Sequence, residues 1–294
     1  MGGSQSTPAY VPPPEFDRPW RTMPWGRKDV LEQKLRDLSL NKPNVRFVRI
    51  LVVGEVGAGK SSFINSVNNA FQGRITSGAL VDGIGGTSFT KIYKTHYIEG
   101  KDGSPLPFVF NDIMGLEDKE SGAHEQDVIK ALRGFLQEGH KFNPASPLSP
   151  NDPGYRSNPS VEDQTFCLVN IIAADKVSLM QNGVFEKLKK IRQEATKLNM
   201  PQVIIMTRPD LACPKVKCDI RKIYTSRKIK EKMQECSNLL GIPMNHIFPV
   251  KNYHEEIDAV DDMDLLIFKA LDQIVNIATD ALKETLRNSD YQHE

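Results

Sequence analysis

Gly54-Glu55-Val56-Gly57-Ala58-Gly59-Lys60-Ser61 follows a nearly continuous apolar run, Phe47, Val48, Ile50, Leu51, Val52 and Val53, and opens a stretch of helical periodicity, Lys60–Phe71. The run has the composition of a central parallel strand covered on both faces. Gly54, Gly57 and Gly59 free the backbone to curl, so that successive N–H groups converge on an anion. The helix that begins near Lys60 adds the positive end of its dipole. G-x-x-x-x-G-K-[ST] in this context is the pattern of a phosphate-binding loop, in which Lys60 reaches the terminal phosphates of a nucleotide and Ser61 offers a hydroxyl to Mg²⁺. Glu55, Val56, Ala58 and Ser62 complete the cradle. The bland alternative, a Gly-rich turn carrying Lys-Ser by chance, stands against a strand before and a helix after. The loop speaks for phosphate and is silent about the base.

Outward from the loop, further strands read at Lys91–Ile98, Leu106–Phe110, Phe166–Ala174, Val203–Met206 and His246–Val250. Helical stretches lie at Arg27–Leu40, His124–Glu138, Val184–Leu198, Arg227–Leu240 and Met263–Leu286. Strands alternating with helices predict an α/β fold, a mostly parallel six-stranded sheet with helices on both faces and a C-terminal helix. Binding loops are then expected at the C-terminal ends of the strands. His140–Glu162, rich in Pro, Ser and Asn, reads as a long loop of the kind that is usually functional or disordered. Residues 1–26 carry many prolines and little apolar periodicity, so a flexible arm is expected there, with residues 27–294 forming one domain. Trp20 and Trp25 offer the means to pin that arm to the domain surface.

Lys+Arg 38 against Asp+Glu 37 gives a net charge of +1, which argues against nucleic acid as the main partner. The longest apolar runs are of strand length, such as Leu168–Ala174 with Asn170 inside it, and the Pro-rich N-terminus lacks the apolar core of a secretory signal. Cys167, Cys213, Cys218 and Cys236 form no C-x-x-C pair and are expected as reduced thiols of a cytoplasmic protein.

Three fragments bear on the base and the metal. Leu106–Phe110 leads into Asn111-Asp112-Ile113-Met114-Gly115, a D-x-x-G. Asp112 at a strand tip can hold a magnesium-bound water, and Gly115 lets a backbone N–H approach the γ-phosphate. Val203–Met206 leads into Thr207-Arg208-Pro209-Asp210. A carboxylate at Asp210 accepts from guanine N1–H and the 2-amino group, a donor pair that adenine lacks. Arg208 stands where Lys is usual, and its stem and planar head suit a base. An Asp in a Pro-containing turn is the plain alternative for this fragment. Ile247–Val250 is followed by Lys251-Asn252-Tyr253, the place for a loop that covers the base.

In this order of loops the chain resembles the Ras-like and dynamin-like G domains of the P-loop NTPases. Gly86-Thr87-Ser88-Phe89-Thr90-Lys91, Asn111-Asp112-Ile113-Met114-Gly115-Leu116-Glu117 and Pro249-Val250-Lys251-Asn252-Tyr253 resemble the interferon-induced protein 44 family, from about Trp20 to the C-terminus. The resemblance implies binding of GTP and GDP with Mg²⁺ and an innate antiviral context. It also implies a short form without the TLDc-type N-terminal domain of some members. The switch threonine that joins Ser61 on the metal is Thr90 or Thr87; Thr90 fits the S-x-T arrangement of related immunity GTPases. Lys60 and Thr90 are thus the expected catalytic pair.

Leu116 occupies the place where Ras-like proteins carry a water-orienting Gln, so slow hydrolysis is expected, accelerated in trans by a protein partner or a second copy. A GTP-dependent interaction module with negligible turnover is the alternative, and an ATP-using P-loop enzyme a third reading that Asp210 opposes. Met1-Gly2-Gly3-Ser4-Gln5-Ser6 matches the N-myristoylation pattern, and a single such chain gives weak membrane contact. The basic stretch from Lys215 to Lys232 reads as a solvated helix face, since Asp219 and Glu231 interleave.

Overall fold

A computed structural model describes residues 15–40, 45–76, 91–118 and 122–290. Strands β1 (Val48–Gly54), β2 (Lys94–Glu99), β3 (Pro105–Asp112), β4 (Cys167–Ala173), β5 (Gln202–Thr207) and β6 (Ile247–Pro249) form one six-stranded sheet in the order β2-β3-β1-β4-β5-β6. All neighbours run parallel except β2, which pairs antiparallel with β3 at the edge. The chain leaves β1 towards β3 on one side and reaches β4 on the other. The crevice beyond the end of β1 is therefore a topological switch point, where α/β sheets place their ligands.

The two faces of the sheet follow the two-residue period of the strands. Leu51, Val53, Leu168, Ile204 and Met206 face one layer, built from α3 (Glu125–Leu132), α4 (Asn182–Lys197) and α7 (Arg227–Leu240). Ile50, Val52, Phe108, Phe110 and Ile205 face the other, built from α1 (Lys28–Arg36), α2 (Lys60–Gln72) and α8 (Asp261–Asp290). Two short turns of helix, α5 (Pro209–Ala212) and α6 (Pro214–Cys218), follow β5. Asp261, Asp262 and Asp264 fill the first turn of α8, favourable charges at the positive end of its dipole.

Several boundaries differ from the expected ones. The strand expected from Lys91 begins at Lys94, because Lys91 and Tyr93 bond instead to the loop beyond α3, through Phe142 N to Lys91 O and Tyr93 N to His140 O. The helix expected over His124–Glu138 stops at Leu132. Gly134 turns the chain at φ +82°, where a Cβ would come within 2.8 Å of Asp163 O. The long loop is held in place: Arg156 donates to Gly134 O and Leu136 O, and Tyr155 stacks on Phe135 at 5.3 Å.

Part of the segment expected to be a flexible arm is docked. Arg21 donates to Ile247 O (2.7 Å) and Met244 O (2.6 Å), and its guanidinium lies over the rings of Trp20 and Tyr224. Met23 is buried, and Phe16 N bonds to Thr225 O. Composition averages over the prolines; the docking is carried by a few residues that average hides. Arg21→Ala removes a charged donor from two carbonyls, and urea unfolding is expected to show a loss of about 2 kcal/mol. A variant as stable as wild type would mean that the segment contributes nothing.

Candidate functional site

The loop between β1 and α2 curls through two left-handed glycines, Gly57 at φ +74° and Gly59 at φ +92°. A Cβ on Gly57 would meet nothing within 4 Å, so the space beside this glycine is open. A curl that turns N–H groups inward turns carbonyls outward, and each buried carbonyl needs a donor. The base side supplies them. Arg208 Nη2 donates to Gly57 O (2.7 Å), Thr207 Oγ1 to Ala58 O (2.7 Å) and Asn252 Nδ2 to Gly59 O (3.1 Å). Arg208 reaches Gly57 from a left-handed backbone, φ 56°, with Asp175 3.9 Å from its other terminal nitrogen. Its head, which the sequence offers to the base, is thus engaged by the loop.

Lys60 is buried, and its Nζ donates to Gly54 O and Glu55 O at 3.3 Å each. Burial lowers its pKa, against the raising pull of Asp112, Glu55 and Glu117. Burial in turn raises the pKa of Glu55, opposed by Lys176 and Lys60. Ser61 Oγ donates to Asp112 Oδ2 at 2.6 Å, which brings together the two hard oxygens expected to serve a metal. Gly115 presses on the loop: a Cβ there would lie 2.5 Å from Val56 Cγ2 and 2.9 Å from Val56 N. Leu116 is buried in the core, and its backbone bonds to Gly54 O and Val56 N.

Beside the loop lies a cleft of about 490 Å³, whose lining includes Gly59, Ser62, Arg208, Asp210, Lys251 and Asn252. Pro209 starts a new helical turn directly after Arg208, and this carries Asp210 to the cleft wall. Asn252 Oδ1 is buried with no hydrogen-bond partner among the described residues, so the cleft has an acceptor waiting for a donor. Lys251 pairs with Glu256 at 2.5 Å. Burial alone would raise the Glu256 pKa; the bond from Lys251 and backbone bonds hold it below the usual range.

The fold therefore brings Gly54–Ser62, Asp112, Gly115, Thr207, Arg208, Asp210, Lys251 and Asn252 to one end of the sheet. Thr90 and Thr87 lie outside the described residues, as does Gly2. Asp175 and Lys176, just past β4, belong to the same region and went unread in the sequence, although a strand tip beside the switch point is a signal in itself. Among the described residues no cluster of three metal-ligating side chains occurs, and no helix is long and apolar enough to cross a membrane. Cys167, Cys213, Cys218 and Cys236 are free thiols.

No protein-family model matches the chain. Over 241 residues it is 34% identical to Interferon-induced protein 44 of Homo sapiens, an alignment that covers 82% of this chain and 54% of that protein. The Mus musculus protein of the same name is 33% identical over 257 residues (86% and 60%). Interferon-induced protein 44-like of Homo sapiens is 30% identical over 252 residues (85% and 56%). The chain thus spans little more than half the length of these relatives. Among solved structures, Toc33 from Arabidopsis thaliana in complex with GDP and Mg²⁺ is 14% identical, covers 87% of this chain and 93% of its own, and superposes with a TM-score of 0.47. Era in complex with MgGDPNP and ribosomal RNA is 12% identical (81% and 57%) with a TM-score of 0.36.

Folding lowers the Lys60 pKa, so the unfolded chain holds that proton more tightly. The buried ammonium therefore costs stability at neutral pH, and the cost fades as pH rises towards the ordinary value of 10.5. Lys60→Met is expected to melt at the same temperature as wild type or higher without ligand at pH 7, with the gap narrowing at alkaline pH. A clear loss of Tm in the variant would refute this reading of the buried charge.

Proposed function

Because the chain belongs to the interferon-induced protein 44 family over the stretch it shares with those relatives, we propose that it is a guanine-nucleotide-binding protein of interferon-response type, which holds GTP with Mg²⁺ and hydrolyses it slowly to GDP. The observation that carries this reading is Lys60. Its buried ammonium has two carbonyls as acceptors and, among the described residues, no carboxylate within ion-pairing distance. A buried cation so placed, beside an open concave loop of backbone amides, calls for an anion. Phosphate oxygens answer that need.

Ser61 and Asp112 are the residues that would hold Mg²⁺, with Thr90 proposed as the third contributor. The bound metal would neutralise charge on the phosphates. Asp210 in the adjacent cleft suits the N1–H and 2-amino donors of guanine, and the orphaned Asn252 Oδ1 suits a further donor of the ligand. Leu116 lies in the core with its backbone engaged, so it neither polarises nor orients water, which supports slow turnover. The same observation favours the second reading, an interaction module that binds GTP and a protein partner with negligible hydrolysis. Pairing with a second copy across the nucleotide face, weak membrane contact through a myristoylated Gly2 and a cytoplasmic, interferon-induced role belong to the proposal.

Titration with GTP, GDP and ATP tests the base: ATP is expected to bind at least about 100-fold more weakly. Asp210→Asn is expected to move preference to xanthine nucleotides. Equal affinity for ATP and GTP would sink the guanine assignment. Turnover is expected below about 10⁻² s⁻¹ at low protein concentration, and a rise with concentration separates an assembling enzyme from a passive module.

A further inference from the structure

We propose that Lys187 and Gly183, one helical turn apart at the start of α4, are positioning residues that clamp the segment following the D-x-x-G, Leu116–Asp118, so that Gly115 stays seated on the phosphate loop. The proposal rests on the GTP-site reading above.

Six contacts define the clamp. On the loop side, Leu116 N donates to Gly54 O (2.9 Å) and Val56 N to Leu116 O (3.0 Å), a parallel extension of β1. Residues 122–123 add an antiparallel bridge, with Ala123 N bonded to Gly115 O (3.0 Å) and Gly122 bridged to Leu116. On the helix side, Lys187 Nζ donates to Glu117 O at 2.9 Å. Gly183 provides a flat seat in the first turn of α4, and a Cβ there would run into the Asp118 carboxylate. Residues four apart share one face of a helix, so the lysine and the glycine grip consecutive residues of the same segment. The segment is zipped to the phosphate loop at one end and bolted to α4 at the other.

The consequence concerns where ordering entropy is lost. A free segment would be ordered when nucleotide arrives, at the expense of affinity. A clamped one is ordered beforehand, with Gly115 packed against Val56 of the loop. Burial lowers the Lys60 pKa, and Glu117, beside Asp112 and Glu55, pulls against that shift, so the clamped segment and the lysine of the loop feel one another. Since the D-x-x-G glycine is the group proposed to meet the γ-phosphate, the clamp favours a nucleoside triphosphate over a diphosphate.

Amide hydrogen exchange on the nucleotide-free chain and titration with GDP and a non-hydrolysable GTP analogue test this together. Lys187→Met is expected to speed exchange at Val56 and Leu116 and to weaken the analogue about tenfold, with GDP changed by less than about twofold; Lys187→Arg restores both. Gly183→Ala is expected to act in the same direction, although alanine is the better helix former. A residue that served the helix alone would show unchanged exchange there. Unchanged exchange in both variants overturns the clamp. Faster exchange with both nucleotides affected alike, or with GDP weakened more, overturns the positioning role. If wild type binds neither nucleotide, the GTP-site reading and the positioning role fall together, while the exchange measurement still decides the clamp.

Discussion

The site depends on what happens to the carbonyls of the phosphate loop. A backbone that aims its N–H groups at an anion must send its C=O groups the other way, and buried carbonyls without donors cost about 1–3 kcal/mol each. The buried Ala58 carbonyl is met by Thr207; Gly57 O, at the exposed bend, accepts from Arg208, and Gly59 O accepts from Asn252 and from Phe63 N of the helix. Gly54 O and Glu55 O are met by Leu116 N and Ala58 N, with Lys60 Nζ as a longer second donor to each. The Thr207, Arg208 and Asn252 donors come from the ends of β5 and β6, so the loop's curl is set in part by the order of strands in the sheet. Local glycine freedom permits the curl; tertiary donors select it.

This division explains what was legible in the chain. The apolar run Val48–Val53, the glycines and Lys60-Ser61 are local signals, and the strand, the loop and the helix stand where the sequence puts them. That Asp112 and Asp210 come to the same end of the sheet is legible because each follows an apolar strand, and strand tips gather at one end of a parallel sheet. The second job of Thr207 and Arg208 was not legible. That they face the phosphate loop follows from β5 lying only one strand, β4, away from β1, which no spacing along the chain records. The early end of α3 had a local cause in Gly134, but its decisive part, the approach of Asp163 O, is again tertiary. For residues 15–26 the tryptophans signal a contact with the domain, and Trp20 does pack on Tyr224, but a Pro-rich average says little about one arginine that caps two carbonyls.

The loop's two flanks are built differently. On the base side, the side chains of Thr207, Arg208 and Asn252 hold it, and two of them, Arg208 and Asn252, also line the cleft. On the D-x-x-G side, backbone holds it, through Leu116 and the bare Cα of Gly115. Backbone pairing does not itself require a polar side chain at position 116, where the chain carries leucine. Leucine in turn buries itself in the core and anchors the pairing more firmly. Stability of the segment and capacity to orient water thus compete for one residue, and here burial has won.

That competition links the fold to the proposed slow chemistry. A polar residue at position 116 would have to leave the core or bury an unpaired amide, losing on the order of 1–3 kcal/mol either way. The segment's attachment to β1 would weaken with it, because the pairing at Gly54 and Val56 is secured by the same residue. On the proposed reading, a chain that anchors the segment after its D-x-x-G with an apolar side chain gains a well-defined bound state and gives up internal activation of water. Such a trade would suit a protein whose output depends on how long it stays loaded, and would leave the completion of a hydrolytic site to a group from outside the chain.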